Sequence, residues 1–296
     1  MLKFTKIAKF ISGHHESQSS GKSQYLSFSE PSQIYMRELL QLYNNQKFKE
    51  VLSKLKSDIK SFPGSAVLFN IQGASNAALG QHSAAIASYK KALQLKSDFA
   101  GALNNMSVSQ QENVQLDAAL ESTKKAIQIK ADFAEAYLNQ GNILHQMGKF
   151  KEAIYSYNKV LQIKPEHADA YNNISNTQKD LGDINAATRN YRIAIQKNAN
   201  FAEAYGNLGI VLRDQGKIEK AIDIYKKAIS LKPRFAEAHN NLGIALKDKG
   251  NLAVAILSYR KALKINPSYA KAYFHLGIAH KDRGEIKTSI ENYKKL

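Results

Sequence analysis

Residues 202–235 read AEAYGNLGIVLRDQGKIEKAIDIYKKAISLKPRF, and this stretch decides the architecture of nearly the whole chain. Its apolar residues Tyr205, Leu208 and Leu212, then Ile218, Ala221, Ile222, Tyr225, Ala228 and Ile229, recur three and four apart, which sets each group along one face of a helix. Gly216 lies in the break, where a left-handed residue closes a helix without a Cβ clash. Pro233 stops the second helix because it lacks the N–H needed to continue it. The stretch predicts a helix, a tight turn and an antiparallel helix. Gly209 and Ala221 let the two axes approach to about 8–10 Å, the usual packing distance, and Tyr225 fills the space beside them. Such a pair is apolar on more sides than it can bury alone, so it needs a neighbour.

The chain supplies that neighbour every 34 residues. One register holds Gly73, Gly141, Gly209, Gly243 and Gly277, with Ser107 and Ser175 as small replacements. Others hold the turn glycines Gly80, Gly148, Gly182, Gly216, Gly250 and Gly284, and the tyrosines Tyr89, Tyr157, Tyr191, Tyr225, Tyr259 and Tyr293. This period and residue order resemble the tetratricopeptide repeat, whose signature is W-x2-L-G-x2-Y, A-x3-F and P. The resemblance covers about nine tenths of the chain. It implies an all-α fold, a right-handed α-solenoid (superhelix) of helix-turn-helix units that serves as a scaffold for protein or peptide partners.

Residues 1–31 lie outside the array. Leu2, Phe4, Ile7, Phe10 and Ile11 can line one side of a short helix whose other side carries Lys3, Lys6 and Lys9; docking on the first repeat is favoured over contact with an acidic membrane surface, because two turns bury little area. Ser12 to Pro31 reads as a linker, with His14 and His15 solvated. Residues 32–65 form a divergent first repeat, with Leu39, Gln46, Val51 and Leu55 in place of Gly, Gly, Ala and Tyr. Six units fill 66–269, of which 100–133 is the weakest: Val114 replaces the turn glycine and Thr123 the tyrosine, so any bend or opening is expected there. An incomplete repeat occupies 270–296. Its last helix would leave Ile286, Ile290 and Tyr293 facing solvent, which calls for continuation past Leu296 or for cover by a partner or a second copy.

Composition narrows the function classes. The 296 residues contain no cysteine, which excludes disulfides, thiolate metal sites and thiol nucleophiles. No apolar run approaches the roughly 20 residues that span a bilayer, and the N-terminus lacks a clean signal-peptide core, so a cytoplasmic protein is expected. Neither a cofactor nor a metal is expected. There is no glycine-rich phosphate loop, no nucleophile elbow and no metal-spaced histidine pair: His275 and His280 stand five apart, off one helical face, and His239 reads as a packing residue in place of the fourth-position aromatic. His145 lies on the expected inner surface. The residues present imply no enzyme.

The candidate binding residues form rows. The sixth position of successive units gives Asn105, Asn139, Asn173, Asn207 and Asn241, each with amide donors and an acceptor. Such a row either holds the backbone of an extended peptide without reading its side chains, or ties neighbouring repeats together. The twelfth position gives Lys179, Arg213, Lys247 and Lys281, and the thirteenth Asp180, Asp214, Asp248 and Asp282: a charged zipper inside the groove. The asparagine row, set in AEAYGNLG and AEAHNNLG, is similar to the repeat arm of O-linked N-acetylglucosamine transferases. That resemblance implies a peptide-holding role for Asn139, Asn173, Asn207 and Asn241, and makes the substrate arm of a larger transferase, with its catalytic domain beyond Leu296, the alternative to a free scaffold. Ile71 and His275 break the row at its ends. A chaperone-tail clamp is disfavoured because no lysine occurs at the fifth position (Asn70, Asn104, Leu138, Asn172, Gly206, Asn240).

Much of the net charge of +17 maps to the second helices, where Lys90, Lys91, Lys124, Lys125, Lys159, Arg192, Lys226, Lys227, Arg260, Lys261, Lys294 and Lys295 recur at two places. RNA or an acidic protein fits such a ridge. A solvated face is favoured, because no aromatics are interleaved at a regular step and no nucleic-acid motif is present.

Overall fold

The computed structural model describes residues 30–296. The expectations for residues 1–29, including the short basic helix, its membrane contact and the solvated His14 and His15, lie outside the described residues.

Sixteen helices run through the described residues, with no strand. They come in pairs: α1 (Gln33–Asn44) and α2 (Phe48–Ser61); α3 (Ala66–Ala78) and α4 (His82–Leu95); α5 (Ala100–Glu112) and α6 (Leu116–Ile129); α7 (Ala134–Gln146) and α8 (Phe150–Ile163); α9 (Ala168–Asp180) and α10 (Ile184–Lys197); α11 (Ala202–Asp214) and α12 (Ile218–Leu231); α13 (Ala236–Asp248) and α14 (Leu252–Ile265); α15 (Ala270–Asp282) and α16 (Ile286–Tyr293). This is an all-α helical-repeat solenoid. Within each unit the first helices pack against their partners and the second helices against the next first helix, and from α3 onward neighbouring first helices of a unit also touch one another.

Local chemistry places the boundaries. Gly80, Gly148, Gly182, Gly216, Gly250 and Gly284 all have φ between +72° and +85°, as the tight turn requires. Gln46 and Val114 hold the same turn with φ of +60° and +58°, a conformation costly for side chains with a Cβ and most of all for a branched one. Ser32, Ser65 and Asp183 cap α1, α3 and α10 through side-chain oxygens that accept from Tyr35 N, Leu68 N and Ala186 N.

The inter-helix fit is a volume exchange. A methyl group added at Gly73 or Gly243 would stand 2.5 Å from the ring of Tyr89 or Tyr259, and one at Gly209 would strike Tyr225. Where the tyrosine is absent, its opposite residue changes with it. Leu39 faces the place of Leu55 in the first repeat, and Ser107 that of Thr123, all four fully buried. Ser175 beside the buried Tyr191 is the exception.

The chain divides into two compact units, one ending at Lys149 and one beginning at Phe150. The division falls in the turn of the 134–167 repeat, one repeat later than the weak 100–133 unit. In the first unit one core gathers Leu39, Tyr43, Val51, Leu55, Leu68 and Ile71, and a second gathers Ile86, Tyr89, Leu103, Met106 and Phe133. In the second unit a single core runs from Ala187 through Tyr191, Tyr225 and Tyr259 to Ala279. On α16, Ile286 and Ile290 are about half exposed, whereas Tyr293 packs over Gly277.

Candidate functional site

The sixth-position asparagines all lie on first helices, two in the first unit and three in the second, each side chain half-buried. They do not stand alone. In the first unit Asn105 Nδ2 donates to Asn70 Oδ1 at 3.2 Å, and Asn139 Nδ2 to Asn104 Oδ1 at 2.8 Å. In the second, Asn207 Nδ2 donates to Asn172 Oδ1 at 3.1 Å and to Asn176 Oδ1 at 3.2 Å. The rule is simple: a sixth-position amide donates to the fifth-position amide of the preceding repeat. Gly206 offers no acceptor, and Asn241 Oδ1 instead accepts from Asn240 Nδ2 at 3.4 Å. Asn173 Oδ1 likewise accepts from Asn172 Nδ2 at 3.3 Å. The tie between repeats is thus a fact at three of the five positions. It spends one N–H of Asn105 and of Asn139 and both of Asn207, leaving each carbonyl oxygen as an acceptor.

The fifth-position asparagines are the residues that sequence reasoning passed over. Asn70, Asn104, Asn172 and Asn240 are all nine-tenths or more buried. The doublets Asn104-Asn105, Asn172-Asn173 and Asn240-Asn241 were the available sign.

The charge rows pair more locally than a continuous zipper. Lys179 Nζ lies 3.7 Å from Asp180 Oδ1, and Arg213 reaches Asp214 at 2.9 Å, each within one repeat. Across repeats, Lys247 Nζ lies 3.7 Å from Asp282 Oδ2, and Gln111 Nε2 donates to Gln146 Oε1 at 2.9 Å in the same register. Asp248 and Lys281 are exposed.

Beneath this surface sit the buried tyrosines, whose hydroxyls are pushed above their ordinary pKa by desolvation. Tyr191 Oη donates to Asn176 Oδ1 at 2.6 Å, which joins the core to the asparagine row through Asn207. Ile210 and Ile244 stand where Asn176 does in the next two repeats, and the hydroxyls of Tyr225 and Tyr259 have no protein partner.

Three of the described histidines pack within the repeats. His239 is buried and its Nε2 lies 3.1 Å from Pro233 O; burial, then Lys261, holds its pKa below the ordinary value. His275 stacks on Tyr259 with ring centroids 5.8 Å apart, and burial with Arg213, Lys247 and Lys271 lowers its pKa against the opposing pull of Asp248. His280 is buried with Nδ1 against Glu285 Oε2, and this contact holds the Glu285 carboxyl low. His145 is half-buried. Among the described residues no group of three or more His, Cys, Asp or Glu is placed to hold a metal, and no helix is long and apolar enough to cross a membrane. The ridge cations on the second helices are exposed, except for the half-buried Lys159.

The paired helices, the glycine turns and the glycine–tyrosine crossing define a helical-repeat protein. Family models described as TPR repeat match residues 141–182, 209–250 and 245–284, and others described as tetratricopeptide repeat match 70–99 and 168–198, together more than half of the chain. The chain belongs to the tetratricopeptide-repeat family. Among solved structures, the APC/C hetero-tetramer Cut9-Hcn1 matches with a TM-score of 0.68 at 18% identity, over 83% of this chain and 49% of that one, which shows the shared fold. MamA matches at 29% identity over 52% of this chain and 91% of that one, with a TM-score of 0.47. YrrB, titled a TPR protein with an unusual peptide-binding site, matches at 24% identity over 62% and 95%, also with a TM-score of 0.47. No curated protein matches the chain.

Proposed function

We propose that this chain is a cytoplasmic, non-catalytic scaffold that holds an extended peptide segment of a partner protein along its first helices. The observation that carries this reading is the asparagine row. Its amides stand half-exposed at the repeat interval, three of them held in place by the repeat before, so their oxygens are ordered before a ligand arrives. A peptide backbone offers N–H groups to such acceptors whatever its side chains are. The paired charges from Lys179 to Asp282 belong to first helices of the second unit and suit partners with mixed charge.

A second reading, the substrate arm of a larger O-linked N-acetylglucosamine-type transferase, rests on the same row and adds a catalytic domain outside this chain. Neither reading assigns RNA to the ridge of second-helix lysines, whose exposure fits a solvated face.

The test is selection of short unstructured peptides from a displayed library against the wild-type chain, followed by affinity measurement on Asn139→Ala and Asn241→Ala. Loss of one hydrogen bond lowers affinity roughly three- to tenfold. Peptides that bind both variants as tightly as the wild type would remove the asparagine row from the interaction.

A further inference from the structure

Between the 66–99 and 100–133 repeats lies an open cavity of about 420 Å³, lined by Leu93, Ser97, Leu103, Met106, Glu121, Lys125 and Ile129 among others. It lies wholly in the first unit, between α4, α5 and α6, and none of its lining residues belongs to the asparagine row. Its cause is legible by comparison with the other repeats. Leu103 occupies the fourth position, where Tyr137, Tyr171, Tyr205 and Tyr273 stand in their own units and Phe69 in the preceding one. Leucine is shorter than any of these rings.

Two contacts elsewhere show where a fourth-position ring goes. Lys295, twenty-sixth in its repeat, sits over the Tyr273 ring with Nζ 5.6 Å from the centroid. His239 reaches the carbonyl of Pro233, thirty-second in the repeat before. The residues equivalent to Lys295 and Pro233 around Leu103 are Lys125 and Ser97, and both line the cavity. The space therefore combines apolar walls from Leu93, Leu103 and Met106 with a polar border of Ser97, Ser122, Gln128 and the Lys125–Glu121 pair. Lys125 lies 3.8 Å from Glu121 and is exposed, so it is held near the mouth yet remains accessible. Ile129, 43% exposed, marks the opening to solvent.

We propose that this cavity is a docking site for a tyrosine side chain of a partner protein, which inserts its ring where the other repeats carry their own. Apolar walls receive the ring, and the Lys125 ammonium caps its face. The site is independent of the peptide-holding reading, since it uses none of the asparagines.

The experiment uses the full chain labelled with ¹³C at its methionine methyls and p-cresol, the tyrosine side chain in free form, as the probe. Met106 lines the cavity; Met36 and Met147 do not, and serve as internal controls. The expected result is a saturable shift of the Met106 signal alone, abolished in Leu103→Tyr, whose own ring fills the space, and weakened about threefold in Lys125→Gln. Acetyl-Gly-Ser-Tyr-Ser-Gly-amide should move the same signal, and its alanine counterpart should not. A Met106 signal indifferent to p-cresol, or equal binding by Leu103→Tyr, overturns the site. Binding of p-cresol without the tyrosine peptide overturns its assignment to a protein side chain.

Discussion

The Asn207 amide nitrogen lies 3.1 Å from the Asn172 amide oxygen, a bond between a sixth-position and a fifth-position residue of consecutive repeats. Asn172 is 6% exposed, so removing its donor strands a buried acceptor, at a cost of about 1–3 kcal/mol. Asn207→Ala should therefore lower the unfolding free energy by that amount in urea melts. Asn241→Ala should cost less, about 0.5–1 kcal/mol, because Gly206 leaves it no bond to the preceding repeat and it loses only the long 3.4 Å contact from Asn240 Nδ2. Asn241 is therefore a better residue than Asn207 at which to read a loss of ligand affinity, because its removal disturbs the fold less. Equal destabilisation by the two substitutions would mean that the bond between repeats carries no energy.

The Tyr225 ring lies over Gly209, and the chain contains its own alternative solution in Leu39 and Leu55, both fully buried. Gly209→Leu should destabilise by about 1–3 kcal/mol through overpacking. Adding Tyr225→Leu should restore more than half of that loss, because the pair then shares its volume as the first repeat does. Thermal unfolding of both single variants and the double variant measures the coupling, and strict additivity would contradict the exchange.

Helix pairs, turns and the glycine–tyrosine contact were legible in the sequence because each is set by residues within one period. The register from Gly209 to Tyr225 needs no knowledge of the neighbour. The asparagine ladder was only half legible: a row at one spacing is visible, but the acceptor of each amide lies in the repeat before it and belongs to a different row. The charge rows misled for the same reason. Spacing put Arg213 and Lys247 in one column, yet Arg213 takes its own neighbour Asp214 and Lys247 takes Asp282 of the following repeat. Thr123 and Val114 set the 100–133 repeat apart in the sequence, but the cavity lies at Leu103, whose shortness matters only against the lysine and serine that surround the missing ring.

Tyr191 and Tyr225 are equivalent in the repeat and differ in their hydroxyls: one donates to Asn176, the other has no protein partner. Tyr191→Phe should cost about 1 kcal/mol, the net worth of a typical hydrogen bond. Tyr225→Phe should be neutral or slightly stabilising, since it removes a buried polar group that gains nothing. Chemical denaturation of the two variants side by side checks the ordering; the reverse order would place the acceptor at the wrong tyrosine.

Val114 holds a left-handed turn with φ of +58° while 74% exposed, so its side chain contributes strain and little packing. The left-handed region costs a residue with a Cβ roughly 1–2 kcal/mol, and glycine returns part of that gain through its freedom in the unfolded chain. Val114→Gly should raise stability by about 1 kcal/mol. Val114→Asn should give a smaller gain, because asparagine tolerates this conformation better than a branched residue does. A fall in melting temperature for Val114→Gly would show that the turn is not strained.

His239 and His275 both have folded-state pKa values below their unfolded value, mainly through burial, with Lys261 facing the first and Arg213, Lys247, Lys271 and Asp248 facing the second. At a pH between the folded values and about 6.5 the unfolded chain binds more protons than the folded one, so stability rises with pH across that window. Stability from these two residues is fully present above about 6.5, is lost as the pH falls through the folded values, and changes no further below them. The repeat supplies its own control, because tyrosine stands at the fourth position and asparagine at the sixth in most units. His239→Tyr with His275→Asn should flatten the loss seen in urea melts between neutral and mildly acidic pH. An unchanged slope would move the pH dependence to other groups and leave these two histidines as uncharged packing residues throughout.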